Sequence, residues 1–176
     1  MGFRAGVAGG LLDAAKGPAA VLLPGLAGLP LEVGLACGIA AVCVQARPVF
    51  HRFDGGRANA TGWGFALAVD PVAFFIMMLP LLVAFGLRRL SAPPSSRLLP
   101  LAALLSFAVF PAVIWEQEGP TPAVLAGLAV PGIIVLRRLT AGLPEDLATG
   151  APAGRILANR LLYDRSELQE RGLIGI

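Results

Sequence analysis

The sequence predicts an all-α, polytopic membrane helix bundle, and three observations carry that reading. Hydrophobic residues make up 56% of the 176-residue chain and charged residues only 14%, too few charges to cover a soluble domain of this length. Mean hydropathy is +0.76. The apolar residues also run in long blocks, about Gly6–Gly28, Leu31–Ala46, Ala58–Leu87, Leu98–Trp115 and Thr121–Leu136, against the roughly 20 residues that a spanning helix needs. Residues 1–142 are expected to form one integral membrane domain of about six segments, and residues 143–176 a polar cytoplasmic tail.

The first block is a poor signal peptide, because Asp13 and Lys16 interrupt it. It also lacks the Ser or Thr that myristoylation requires at position 6, so targeting rests on the helix itself. Gly2, Gly6 and Gly10, and in the second block Gly34 and Gly38, are spaced for close helix approach. Cys37 and Cys43 fall within the second block at a spacing that matches no zinc or redox motif, and are expected as small core hydrophobes.

Charge divides the third block. Arg47, Arg52 and Arg57 follow the second block, Arg88, Arg89 and Arg97 the third, and Arg137 and Arg138 the last, while Glu116 and Glu118 precede Pro120. A single crossing of the third block would put basic loops on both sides, against the positive-inside bias. Asp70-Pro71 supplies a break, since proline cannot continue the helical ladder and pushes the residue before it out of helical geometry. A helix hairpin is expected, with arms Ala58–Val69 and Val72–Leu87 of roughly 18 and 24 Å. Such arms are short enough to require tilt or shielding. The basic clusters then face the cytoplasm and the acidic turn faces outside; one kinked span is the alternative. Prolines 80, 100, 111 and 131 within apolar blocks predict kinks. In the tail, Ile156, Leu157, Leu161 and Leu162 alternate with Arg155, Asn159, Arg160 and Asp164, the pattern of an amphipathic interfacial helix, with a solvated tail as the other reading.

The net charge is +3, carried in short clusters beside apolar segments rather than along a helix face. That excludes nucleic acid and favours the lipid bilayer and anionic headgroups or substrates as partners. Asp13 and Lys16 share a face of the first helix, where ionised groups are costly enough to be functional candidates; a self-satisfying pair and a cationic site both remain open. In "FDGGRANATGWG" the Gly55-Gly56-Arg57 run offers unencumbered backbone N–H groups and a guanidinium to a phosphate, just before a helix N-terminus. It is neither a Walker loop nor a Rossmann fingerprint, and a glycine turn beside topological arginines has the same lettering. Arg88 and Ser91 add a charge and a hydroxyl on the same inferred side, and Arg138 anchors the last helix, although each arginine also serves the positive-inside pattern. His51, the only histidine, has no orienting partner and reads as interfacial. No metal cluster or Ser-His-Asp set is present, so neither a metal nor another cofactor is expected and no catalytic residue is assigned.

These residues resemble a known family. "LLDAAKGPAAVLL" is similar to the Asp-x-x-Lys-Gly segment of the bacterial acyl-phosphate:glycerol-3-phosphate acyltransferases of the PlsY type. "RPVFHRFDGGRANATGWGFALAVDP" resembles that family's Phe-Pro-Val-Phe … Phe-x-Gly-Gly-Lys-Gly-Val-Ala-Thr … Gly … Asp-Pro motif in order and spacing, and is the most specific match. "LRRLS" and "RRLTAGLPE" are similar to its Arg-x-x-Ser and Arg-Leu-x-x-Gly-Thr-Glu motifs. The resemblance covers about residues 2–145. It implies a seven-helix inner-membrane enzyme of phospholipid synthesis that transfers an acyl group from acyl phosphate to the 1-hydroxyl of glycerol 3-phosphate, giving lysophosphatidate without metal or nucleotide. It implies phosphate binding by Lys16, Gly55, Gly56, Arg57, Arg88 and Ser91, support from Asp13, Gly17, Thr61 and Arg138, and the substrate's own phosphate as base. The family's first helix and Gly-Ser-Gly-Asn motif would fall before Met1, so this chain is expected to lack them. Val44 and Gln45 stand for the family's glycine and histidine; Arg57, Ala58 and Asn59 stand for lysine, glycine and valine. Gly132, Ile133, Ile134 and Val135 stand for its His-Arg-Glu-Asn. A noncatalytic relative that binds anionic lipid or regulates a partner is the second reading.

Overall fold

The structure is a computed structural model in which residues 3–47, 58–90 and 98–164 are described. In chain order the helices are α1 (Phe3–Leu26), α2 (Leu31–Ala46), α3 (Asn59–Val69), α4 (Pro71–Met77), α5 (Leu79–Leu90), α6 (Leu98–Glu118), α7 (Pro122–Thr140), α8 (Leu143–Leu147) and α9 (Ala153–Ala158), and α9 runs into a π-helical turn, Asn159–Tyr163. No strand occurs among the described residues. Three stretches are long and apolar enough to cross a membrane, Pro71–Leu90, Leu98–Glu118 and Pro122–Thr140, and Leu31–Ala46 is a shorter apolar helix. The protein is an all-helical membrane bundle.

The break at Asp70 is built as a complete cap. Asp70 is extended (φ −148°, ψ 103°) and its side chain accepts from the N–H groups of Val72 at 2.8 Å and Ala73 at 3.0 Å. Pro71 takes the first helical position, where its missing N–H costs nothing. The second arm is longer than the expected Val72–Leu87: it reaches Leu90 and spans 20 residues, about 30 Å and enough for a hydrocarbon core. Arg88 and Arg89 extend the last turn because cations suit a helix C-terminus and long stems reach past apolar surface; the Arg89 guanidinium lies 4.9 Å from the centre of the Phe85 ring.

Of the prolines, Pro80 follows an interruption at Met78 between α4 and α5, and Pro100 sits in the first turn of α6, whereas α6 and α7 continue through Pro111 and Pro131.

Glycine brings the first three helices together. A Cβ on Gly17 would overlap the backbone of Thr61 and Phe65, and one on Gly64 would overlap the carbonyl oxygen of Ala14. Gly34 lies equally close to the Val21 carbonyl, and Gly38 to the Phe65 ring. The expected stripe in the first block does not act this way at Gly10, which has open space beside it; Gly2 and the surroundings of Gly6 lie outside the described residues. Cys37 and Cys43 are exposed on α2, not in the core, because the inward face of that helix is taken by Gly34, Leu35, Gly38, Val42 and Ala46. The core itself holds Val42, Phe65, Met77, Phe107, Ile114 and Ile134, with the Phe107 ring stacked on Trp63 at 6.2 Å.

After α7 the chain folds back. The π turn packs on α6 and α7, and Ile156 of α9 just before it is fully buried.

Gly64→Ala is expected to lower unfolding stability in detergent by about 1–3 kcal/mol, the cost of overpacking a rigid contact, while Gly10→Ala does not destabilise. Asp70→Ala is expected to cost about 1 kcal/mol through loss of the cap. Denaturant titrations of the three variants beside the parent protein check both statements.

Candidate functional site

The Asp13–Lys16 turn of α1 is the focus of the polar contacts among the first three helices. Lys16 Nζ donates to Asp13 Oδ1 at 2.7 Å and to Gln45 Oε1 of α2 at 3.0 Å. Thr61 of α3, fully buried, donates its Oγ1 proton to the carbonyl oxygen of Asp13 at 2.9 Å. That contact is only possible because Gly17 lets α3 approach backbone to backbone. The pair is not sealed away: the side chains of Lys16 and Asp13 are 52% and 35% exposed. An ammonium has three donors, and two of the Lys16 donors are committed here. The turn is thus both an ion pair and an accessible cation.

Asp13, Lys16, Gly17 and Thr61 therefore meet, and Gln45 joins them. Sequence reasoning registered Gln45 only as a departure from the family lettering. The available signal was an amide at the far end of a helix whose only other polar side chains are Glu32 in its first turn and two cysteines; in a membrane such a group usually means a partner on a neighbouring helix.

Gly55, Gly56, Arg57, Ser91 and His51 lie outside the described residues. The chain enters α3 at Ala58, which is buried and held in the left-handed region (φ 56°, ψ 10°), its carbonyl accepting from Gly62 N–H at 2.9 Å. A residue with a Cβ is strained there. The glycine of the resembling motif at this position is thereby explained, and Ala58 retains the shape at a cost. On the same face of α3, one turn apart, Asn59 Oδ1 and Trp63 Nε1 are buried without a hydrogen-bond partner among the described residues.

A second set of contacts ties α2, α6 and α7. Arg47 donates to Thr140 Oγ1 at 3.1 Å. Arg138, only 4% exposed, donates from Nη1 to the Pro100 carbonyl at the start of α6 at 3.1 Å. Arg88 stands exposed in the last turn of α5. The positions that match the family's polar His-Arg-Glu-Asn run are apolar in place as in lettering, with Ile134 fully buried.

Residues 1–141 match the family model described as glycerol-3-phosphate acyltransferase. The chain is 36% identical over 137 residues to glycerol-3-phosphate acyltransferase 1 of Moorella thermoacetica, covering 78% of this chain and 66% of that protein. It is 40% identical over 92 residues to glycerol-3-phosphate acyltransferase 5 of Dehalococcoides mccartyi strain 195, covering 52% and 39%. It is 34% identical over 166 residues to glycerol-3-phosphate acyltransferase 4 of Dehalococcoides mccartyi strain CBDB1, covering 93% and 69%. The chain thus spans between about two-fifths and about two-thirds of the length of these relatives. No solved structure matches it.

Relief of the left-handed strain gives a direct check: Ala58→Gly is expected to raise stability by about 1 kcal/mol, measured as a shift of the denaturant midpoint at constant slope.

Proposed function

Because the chain belongs to the glycerol-3-phosphate acyltransferase family, we propose that it acylates the 1-hydroxyl of glycerol 3-phosphate from acyl phosphate, giving lysophosphatidate for phospholipid synthesis. The observation that carries this reading is the half-exposed Lys16 ammonium, aimed by Asp13 and Gln45 and with one donor uncommitted among the described residues. Both substrates are phosphates, and a fixed cation beside an apolar bundle recognises an anion whose acyl chain stays in lipid.

The chemistry is a single acyl transfer. The glycerol hydroxyl oxygen forms the new ester bond to the acyl carbon, the bond from that carbon to the phosphate oxygen breaks, and inorganic phosphate leaves. The hydroxyl proton passes to a substrate phosphate oxygen, so no protein base is required. In this scheme Lys16, Arg57, Arg88 and Ser91 bind phosphate with the backbone of Gly55 and Gly56. Asp13 and Gln45 orient Lys16, Thr61 and Gly17 hold α3 against it, and Arg138 keeps the adjoining ends of α6 and α7 in place. The protein works in a bacterial plasma membrane, with its basic loops and tail cytoplasmic.

A second reading, phosphate-containing lipid bound without turnover, is favoured by one observation: the apolar stretch Gly132–Val135 with its buried Ile134.

Purified protein in detergent or lipid, supplied with acyl phosphate and glycerol 3-phosphate, is expected to release lysophosphatidate. Lys16→Met is expected to lower kcat/KM roughly 10²- to 10³-fold, the range for removing one charge-stabilising donor. Binding of glycerol 3-phosphate with no lysophosphatidate above background selects the second reading; absence of both product and binding overturns the proposal.

A further inference from the structure

The segment after α7 is expected from sequence to lie on the membrane surface or in solvent, yet it carries a deeply buried ion pair. Arg160 and Asp146 have side chains 3% and 1% exposed, with Nη2 2.6 Å and Nε 2.8 Å from Asp146 Oδ2. The remaining Arg160 donors go to the carboxyl end of α7: Nη1 to the Ala141 carbonyl and Nη2 to the Gly142 carbonyl at 2.6 Å. Ala141 caps the carboxyl end of α7, and the Gly142 carbonyl also accepts from the Asp146 N–H at 3.3 Å where α8 begins; a guanidinium is favoured at a helix C-terminus by charge as well as geometry. Burial of the pair without all its hydrogen bonds would be strongly unfavourable, so this segment has one well-defined seat.

The seat adjoins the site. Leu161, the residue after Arg160, turns its carbonyl to Arg138 Nη1 at 3.5 Å, while the same nitrogen reaches the Pro100 carbonyl at 3.1 Å. Arg138 is thus held between α6 and the tail. Two residues further along α7, Thr140 receives Arg47 from α2. A π turn supplies the register: in Asn159–Tyr163 the wider winding lets Arg160 turn inward and the Leu161 carbonyl face α7.

We propose that residues 143–164 form a clasp in which the Asp146–Arg160 pair positions Arg138 and the joined ends of α2, α6 and α7 for substrate phosphate binding. Arg160 is a positioning residue, since it touches the backbone of α7 and not the substrate. This rests on the reading of that end of the bundle as the phosphate site.

The test uses the full chain in detergent. Asp146→Asn keeps the shape and removes the charge; Arg160→Lys keeps the charge and gives up the fork that spans carboxylate and carbonyls. Limited proteolysis at the Thr149–Pro152 turn reads docking, and is expected to be faster in both variants. Titration with glycerol 3-phosphate and steady-state kinetics read the site. KM and the dissociation constant for glycerol 3-phosphate are expected to rise roughly tenfold, with kcat within about twofold, the size of coupling carried through one packed contact. If the parent protein binds glycerol 3-phosphate but does not turn it over, the catalytic reading fails and the clasp is judged by the dissociation constant alone. Faster proteolysis or a lower Tm with unchanged affinity overturns the clasp as a positioning device and leaves it a structural brace. If Asp146→Asn yields no folded protein, Arg160→Lys decides by the same measures. A parent protein that neither binds nor turns over glycerol 3-phosphate overturns both proposals.

Discussion

The contact between Gly17 of α1 and Gly64 of α3 is the constraint on which the candidate site depends. Without side chains at these two positions the backbones meet, and only at that separation does the buried Thr61 hydroxyl reach the Asp13 carbonyl. The approach fixes the rotation of α1, and with it the direction of the Asp13–Lys16 turn. Gly34 and Gly38 bring α2 to the other flank of α1, which carries Gln45 to the Lys16 ammonium. In lipid such contacts cannot rely on expulsion of water; close packing and interhelical hydrogen bonds hold the helices. The steric and the polar parts of this arrangement are thus one device.

The same economy shapes the rest of the bundle. The described interhelical hydrogen bonds involve the Asp13–Lys16 turn within α1, the end of α2, the start of α3, the start of α6, the end of α7 and the segment that follows it. Large apolar side chains such as Leu22, Leu23, Leu82 and Val83 are exposed along the helices, as a bilayer solvent requires. Polar contacts set in an apolar body fit the proposed pair of substrates, two phosphates of which one is tethered to a fatty chain. Under the acyl transfer proposed above the proton acceptor travels with the substrate, so the site has only to bind and orient.

Chain-specific changes are absorbed locally. Ala58 keeps the left-handed entry to α3 that glycine would adopt without strain, so the departure alters cost and not shape. Gln45 accepts from Lys16 through an amide oxygen. In the Gly132–Val135 stretch, which resembles a polar run of the family in position only, Ile134 is fully buried.

Helical class, the helix ends at Ala46 and Val69 and the starts at Leu31 and Leu98 were all legible in the sequence, because they follow from apolar block length and from what proline does to its own and the preceding residue. The break at Asp70-Pro71 was legible from two signals together: the arginine clusters require a break within the third block under the positive-inside bias, and the proline locates it. Asp13 and Lys16 stood out for the same reason: ionised residues in an apolar helix are rare. What tertiary structure decided was partnership. Gly17 and Gly64 lie 47 positions apart, Asp146 and Arg160 belong to a tail whose amphipathic lettering suggested a surface helix, and Cys37 and Cys43 face outward on a helix whose lettering marks no single apolar face. One-dimensional periodicity states that a helix has an apolar face; which face is buried, and against which residue, depends on the neighbour that arrives there, and that neighbour is set by the fold.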